Sequence, residues 1–295
     1  MAASLDVRGL TVELPTQSGW IRPVNDVWFT LARGETLGVV GESGSGKTML
    51  SLALMGLEPH GARRDGEAWL HPRGPNGNGN DGASELPREN LLALSPEKMR
   101  EVRGREIAMI FQEPMTALNP VLRIGAQIEE AIRVHQPRVG ASEIRSRALA
   151  AIERAALTDP ARRARQYPHQ LSGGLRQRVM VAMALAAGPG VLIADEPTTA
   201  LDVTVQKQIL ELLAKLRREL QLSMLFITHD LGVVAQVADR VVVMYAGRIV
   251  EEGPVAEVLR APRHPYTEGL LRAAPRLARE KLVPIPGTVP ALDAL

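Results

Sequence analysis

Cysteine is absent from the 295-residue chain. That excludes a disulfide framework and a thiolate metal site, and the fold need not depend on an oxidising compartment. Aromatic residues make up only 3%, and lysines number five (Lys47, Lys98, Lys207, Lys215 and Lys281). The positive charge is mostly arginine, interleaved with acids along stretches such as Ser142 to Leu157, the pattern of a solvated face. Net charge is +2, and no dense basic block with interleaved aromatics occurs, so nucleic acid is not expected as a partner. Long apolar runs are missing as well. The longest uncharged run, Val179 to Ala194, has 16 residues broken by Gly188-Pro189-Gly190, whereas a membrane span needs about 20. Met1 to Leu10 carries Asp6 and Arg8 and lacks the apolar core of a signal peptide. A soluble protein is expected, linked to any membrane through a partner. The length suffices for one large domain or two small ones.

What is present begins with Gly41-Glu42-Ser43-Gly44-Ser45-Gly46-Lys47-Thr48, which fits the phosphate-loop pattern G-x-x-x-x-G-K-[ST]. Leu37 to Val40 reads as a short buried strand before it, and Met49 to Leu57 as an apolar helix after it. A strand, a Gly-rich turn and a helix start let backbone N–H groups close around a polyphosphate, with the positive end of the helix dipole behind them. Lys47, read as an exposed lysine that supports no core, would reach the outer phosphates, and Thr48 would ligate Mg²⁺. A nucleoside triphosphate is therefore the expected ligand. The guanine-reading Asn-Lys-x-Asp tetrapeptide of GTPases is absent.

A second signal is Leu171-Ser172-Gly173-Gly174-Leu175-Arg176-Gln177-Arg178, which opens an apolar helix from Val179 to Ala187 and would form another helix-start anion site. Val191 to Ala194 then reads as a buried strand with Asp195 and Glu196 at its carboxyl end. With these on the page, the chain resembles the nucleotide-binding subunit of an ATP-binding cassette (ABC) transporter. Gly41–Thr48 matches the family's Walker A, Ser172–Gln177 its signature motif and Val191–Glu196 its Walker B. Gln112, after an Ile107–Phe111 strand, resembles the Q-loop; Ala200-Leu201-Asp202 resembles the D-loop; His229, after Met224–Thr228, resembles the H-loop.

The expected fold class is α/β: a P-loop NTPase (RecA-like) core with a mainly parallel sheet, an N-terminal antiparallel β-subdomain and an inserted helical subdomain. Leu5, Val7, Val12 and Leu14, then Val27, Phe29 and Leu31, alternate as half-buried strands do. Ile124, Ile128 and Ile132, and likewise Ile144, Ala148 and Ile152, recur at helical spacing, suggesting a helical arm over about 113–187. Val205, Ile209, Leu212, Leu213, Leu216 and Leu220 mark another long helix, and Arg240–Tyr245 a further strand. His71 to Asn90 is too Gly/Asn-rich to bury a core and reads as a flexible surface excursion. The ATPase domain is placed at 1–260 and a C-terminal extension at 261–295, where Pro262 to Leu295 looks like an appended tail.

The resemblance also implies roles. Lys47 and the loop amides of Gly41, Glu42, Ser43, Gly44, Ser45 and Gly46 would offset phosphate charge. Thr48, Gln112 and, through water, Asp195 would hold Mg²⁺. Glu196 would be the general base for the attacking water and His229 would contact the γ-phosphate, with Lys47 and Gln112 completing the catalytic group. Trp20 lies about where the family stacks an aromatic on adenine; ordinary packing is the alternative. Ser172, Gly173 and Gly174 would face ATP held by a partner subunit, so that two subunits close over two nucleotides. Leu175 stands where the family often has glutamine.

Phe111 to Pro120, Tyr167-Pro168-His169-Gln170, Ala194 to Val203 and His264 to Leu271 resemble the peptide/nickel branch of importers. The implied function is an ATP-hydrolysing subunit powering import of dipeptides, oligopeptides, glutathione or nickel chelates. Implied partners are integral-membrane permease subunits, a second ABC ATPase subunit (identical or different) and, indirectly, a substrate-binding protein, at the cytoplasmic face of a bacterial inner membrane. Branch members usually continue past a stretch like Ile285–Leu292 into a cysteine-bearing segment, so the extension reads as truncated, in a shortened member or a fragment. Two rivals are a cytosolic ABC ATPase acting on ribosomes or DNA, which usually has two cassettes or a long coiled coil, and an exporter subunit.

Overall fold

The computed structural model describes residues 2–17, 19–72, 88–199 and 201–273. The first elements are β1 (Ala3–Thr16), β2 (Gly19–Ala32), β3 (Thr36–Val40), α1 (Lys47–Met55), β4 (Arg63–Leu70), β5 (Glu89–Asn90) and α2 (Pro96–Val102). There follow β6 (Ile107–Ile110), α3 (Pro114–Ala117), α4 (Ile124–His135), α5 (Ala141–Arg154), α6 (Pro160–Arg165), α7 (Gly173–Leu185), β7 (Val191–Asp195) and α8 (Val203–Leu220). The last are β8 (Ser223–Thr228), α9 (Leu231–Val237), β9 (Arg240–Tyr245), β10 (Arg248–Pro254), α10 (Val255–Arg260) and α11 (Pro265–Ala273). The chain forms two compact units, Met1–Met99 with Ser223–Leu295, and Arg100–Leu222.

The first unit holds an antiparallel sheet in the order β2-β1-β4-β5. Leu5, Val7, Val24, Val27 and Leu31 are at most 1% exposed, which accounts for the alternation in the sequence. The alternation slips between Val7 and Leu10, where the register shifts. Gly9 sits there at φ +61°, and a Cβ on Gly66 of β4 would lie 2.5 Å from the Gly9 carbonyl oxygen, so this bulge admits backbone only. The same unit carries parallel β9, β3 and β8, with β3 between the other two, and β10 antiparallel to β9. Val39, Val40, Val241, Val242 and Val243 are fully buried, as strands covered on both faces require.

The segment read as an appended tail instead contributes to this core. Val40, Leu231, Val234, Val241, Val243, Val255, Val258 and Tyr266 form one buried cluster, with Leu270 and Leu271 packed against it. Richness in proline suggests an appended tail, but Pro265 occupies the first turn of α11, where its missing N–H costs nothing. Residues 274–295 lie outside the described residues. So do 73–87 of the Gly/Asn-rich excursion, whose last residues Glu89 and Asn90 pair with Leu70 and Trp69.

In the second unit the regular elements between Pro114 and Leu185 are all helical. Ile124, Ile128 and Ile132 of α4 and Ile144, Ala148 and Ile152 of α5 are at most 2% exposed, and these helices pack on each other and on α7. Each fully buried isoleucine is worth about 1.5–3 kcal/mol. The unit also contains the parallel pair β6–β7 and α8, whose Ile209, Leu213 and Leu216 are buried.

Candidate active site

The phosphate-loop pattern lies between β3 and α1 in the first unit. Two of its glycines, Gly41 and Gly46, are dictated by close backbone approach. A Cβ on Gly46 would fall 1.9 Å from the Pro23 carbonyl oxygen, and one on Gly41 2.2 Å from that of Met244. The turn between β9 and β10 fastens the loop, since the Gly247 N–H donates to Ser45 O at 3.1 Å and the Asn25 N–H donates to Gly247 O at 2.8 Å. Gly46, at φ +101°, is the N-cap of α1, so the backbone N–H groups of the first turn point into the loop.

Lys47 departs from the expectation of an exposed side chain. It is 5% exposed, and its Nζ donates to Gly41 O and Glu42 O at 2.8 Å each and to Ser45 Oγ at 3.3 Å. The loop folds over the ammonium because its carbonyls satisfy the donors that burial strips of water. Thr48 is exposed at the helix start, as are Ser43 and Gly44. His229, also exposed, sits between the end of β8 and Asp230, which caps α9 by accepting the Gly232 and Val233 N–H groups at 2.8 and 3.3 Å. Trp20, 43% exposed, has the Arg63 guanidinium 3.9 Å from its ring centroid, a cation–π contact within the β1–β2–β4 sheet.

The second unit holds the other candidates. Asp195 ends β7 and is 1% exposed. Glu196 follows it at φ +45°, a left-handed backbone that costs a non-glycine residue about 1–2 kcal/mol. Its Oε2 accepts the Gln112 amide at 3.2 Å and the Thr199 hydroxyl at 2.7 Å. Gln112 and Glu196, 84 residues apart, are thus brought together. Thr199 was not singled out from the sequence; its signal was the Pro197-Thr198-Thr199 turn after the acids, which returns a hydroxyl onto the carboxylate. Asp202 caps α8 through Thr204 and Val205 N–H, while Ala200 lies outside the described residues.

The signature residues start α7, with Ser172 as N-cap. Gly174 is packed so closely that a Cβ would meet Val205 Cγ1 at 2.5 Å, whereas one on Gly173 would meet only Leu201 Cδ2, at 3.7 Å. Among the described residues, packing therefore explains one glycine and not the other.

Comparison with known proteins decides the family. The ABC transporter family model matches residues 24–199, and the model for the C-terminal region of oligopeptide/dipeptide transporters matches residues 250–295. The chain belongs to the ABC transporter ATPases. A Brucella abortus protein that bears the name peptide import ATP-binding protein is 50% identical over 98% of this chain and 83% of its own length. One from Brucella melitensis is 51% identical over 99% of this chain and 86% of its own. The dimeric cassette MJ0796, in a post-hydrolysis state bound to ADP and Pi, superposes with a TM-score of 0.69 at 28% identity, covering 85% of this chain and 98% of that one. The structure of cbiO1 from Clostridium perfringens, part of the ABC transporter complex cbiONQ, gives 0.68 at 25% identity, covering 88% and 92%. Like its relatives, this ABC cassette is an ATPase with a P-loop α/β fold. Among the described residues no helix is long and apolar enough to cross a membrane.

Proposed function

We propose that this chain is the ATP-hydrolysing subunit of a peptide importer, working in pairs beneath permease subunits at the cytoplasmic face of a bacterial inner membrane. The observation that carries the catalytic reading is Glu196, kept in a left-handed backbone conformation while Gln112 and Thr199 hold its carboxylate. Strain of this kind persists where surroundings over-determine a residue, and it clusters at reacting groups. The carboxylate would accept the proton of the water that attacks the γ-phosphorus as the bond to ADP breaks. Lys47 would exchange Gly41 O and Glu42 O for phosphate oxygens, and His229 would contact the γ-phosphate. Gln112 would pass the state of the site to the helical arm, and Trp20 would offer a ring to adenine.

The oxygen donors suit Mg²⁺. Thr48 would supply a hydroxyl, Asp195 a carboxylate acting through water, and Gln112 an amide oxygen. Among the described residues no cluster of three or more His, Cys, Asp or Glu could hold a metal. Bound Mg²⁺ would neutralise charge on the β- and γ-phosphates.

Gly173 supports trans action, because among the described residues nothing requires glycine there; Ser172, Gly173 and Gly174 would face the partner subunit's ATP. The relatives' names and the matched C-terminal region support a peptide cargo, which a substrate-binding protein would deliver. The test has two arms. Specific ATPase activity should rise with protein concentration across a dilution series, or on adding a second, different ATPase subunit; a fully active monomer refutes pairing. Vesicles carrying candidate permease subunits and this chain should take up labelled dipeptide with ATP inside. Uptake unaffected by omitting the subunit would refute the transport role.

A further inference from the structure

The described part of the C-terminal extension reaches into the phosphate loop. Tyr266 of α11, 8% exposed, accepts the Glu42 N–H on its hydroxyl at 3.0 Å and donates to Glu42 Oε2 at 3.4 Å. The opposite side of the same residue is held by Lys47, whose Nζ donates to Glu42 O at 2.8 Å. Glu42 is therefore gripped at its N–H, its side chain and its carbonyl.

The phenol is placed by a rigid frame. Glu251 of β10 accepts the Arg263 N–H at 2.8 Å and the His264 N–H at 3.0 Å, one on each carboxylate oxygen. His264 Nδ1 then accepts the Tyr266 N–H at 3.1 Å. The ring tilts 50° against Tyr245, centroids 4.5 Å apart, at the end of the strand whose Met244 carbonyl closes over Gly41. Burial above all pushes the Tyr266 hydroxyl up to about 12, so it keeps the proton it donates throughout the physiological range.

We infer that Tyr266 is a positioning residue for the phosphate loop, making the C-terminal extension a working part of the nucleotide site. The inference rests on the proposed role of residues 41–48 in holding phosphates. When Lys47 leaves Glu42 O for a phosphate, the carbonyl side of the grip is released, and the Tyr266 hydroxyl keeps the loop's first residues in place. Without it, ATP binding must also order the loop, and the bound state is penalised.

The test is Tyr266→Phe in the full chain, which keeps the ring in the core and removes one oxygen. A net hydrogen bond is worth a few-fold to about tenfold in an equilibrium. Kd for an ATP analogue and KM for ATP should therefore rise roughly three- to tenfold, while kcat stays within about twofold and the melting temperature falls by no more than a few degrees. Amide hydrogen exchange at Glu42 should quicken. Parental Kd and Glu42 exchange in the phenylalanine variant overturn the inference, as does a loss of melting temperature with affinity intact, which would make Tyr266 merely structural. Lys47→Ala, measured alongside, separates the two levels. Lost nucleotide binding there with parental binding in Tyr266→Phe refutes only the tyrosine's role, whereas parental binding in Lys47→Ala refutes the phosphate-loop reading and the inference with it.

Discussion

Two adjacent glycines should respond oppositely to the same added methyl group. At Gly174 the new Cβ would stand 2.5 Å from Val205 Cγ1, where carbon atoms prefer about 3.5–4.0 Å. Val205 cannot easily swing away, because a β-branched side chain in a helix has one strongly preferred rotamer, so α7 and α8 must part by roughly 1 Å. Overpacking of this kind costs about 1–3 kcal/mol, offset by up to about 1 kcal/mol of helix propensity gained over glycine. With the full offset the net is about 0–2 kcal/mol, or up to roughly 8 °C in melting temperature for a chain this size. At Gly173 the nearest atom would be 3.7 Å away, an ordinary contact, so Gly173→Ala should melt at or slightly above the parent. If Gly173 faces a partner's nucleotide, its methyl group should displace reacting groups by a fraction of an ångström to 1 Å and slow hydrolysis about 10- to 100-fold. Differential scanning calorimetry and a phosphate-release assay, at a concentration where the parent is fully active, give both numbers. Parental hydrolysis by Gly173→Ala would refute the trans assignment, and a melting loss equal to that of Gly174→Ala would refute the steric reasoning.

Further outcomes follow from the same geometry. Thr199→Val removes the 2.7 Å donor to Glu196 and should lower kcat about 3- to 30-fold at nearly unchanged analogue affinity; unchanged steady-state kinetics would refute its role. Lys47→Ala should lose nucleotide binding and also about 1–2 kcal/mol of stability, since a buried ammonium leaves three loop acceptors unmatched; titration with parallel melting checks both. Arg240→Met would leave Glu35, 9% exposed and paired with Arg240 at 2.7 Å, without its main counter-charge. That should cost about 1–3 kcal/mol in chemical denaturation while the ATP KM stays at the parental value.

Local pattern carried much of the fold. Ile124, Ile128 and Ile132 fall on one buried helix face because a helical repeat is written into neighbouring residues, and Arg240–Tyr245 forms a strand for the analogous reason. Phosphate-loop residues were readable because their chemistry needs fixed spacing within eight positions. What escaped was non-local or conformational. Gly9 shifts the β1 register, and its effect depends on Gly66 in another strand. Burial of Lys47 depends on carbonyls that turn toward it only once the loop has folded. Tyr266 meets Glu42 across 224 residues, and no periodicity encodes such a contact. Prolines disguised α11 as a tail, although its apolar face is read easily once Val255 and Val258 are seen packing in the same cluster.

The most direct test of the central claim is the oligomeric state of Glu196→Gln with ATP and Mg²⁺. Glutamine is nearly isosteric with glutamate and leaves Asp195 and Thr48 in place, so binding should persist. The lost general base should slow hydrolysis about 10²- to 10⁴-fold. Size-exclusion chromatography with light scattering, in the presence of any different partner ATPase, should then show a stable ATP-loaded dimer for the variant and mostly monomer for the parent. Parental hydrolysis with no dimer would contradict both the assignment of Glu196 and the closure of two cassettes over ATP.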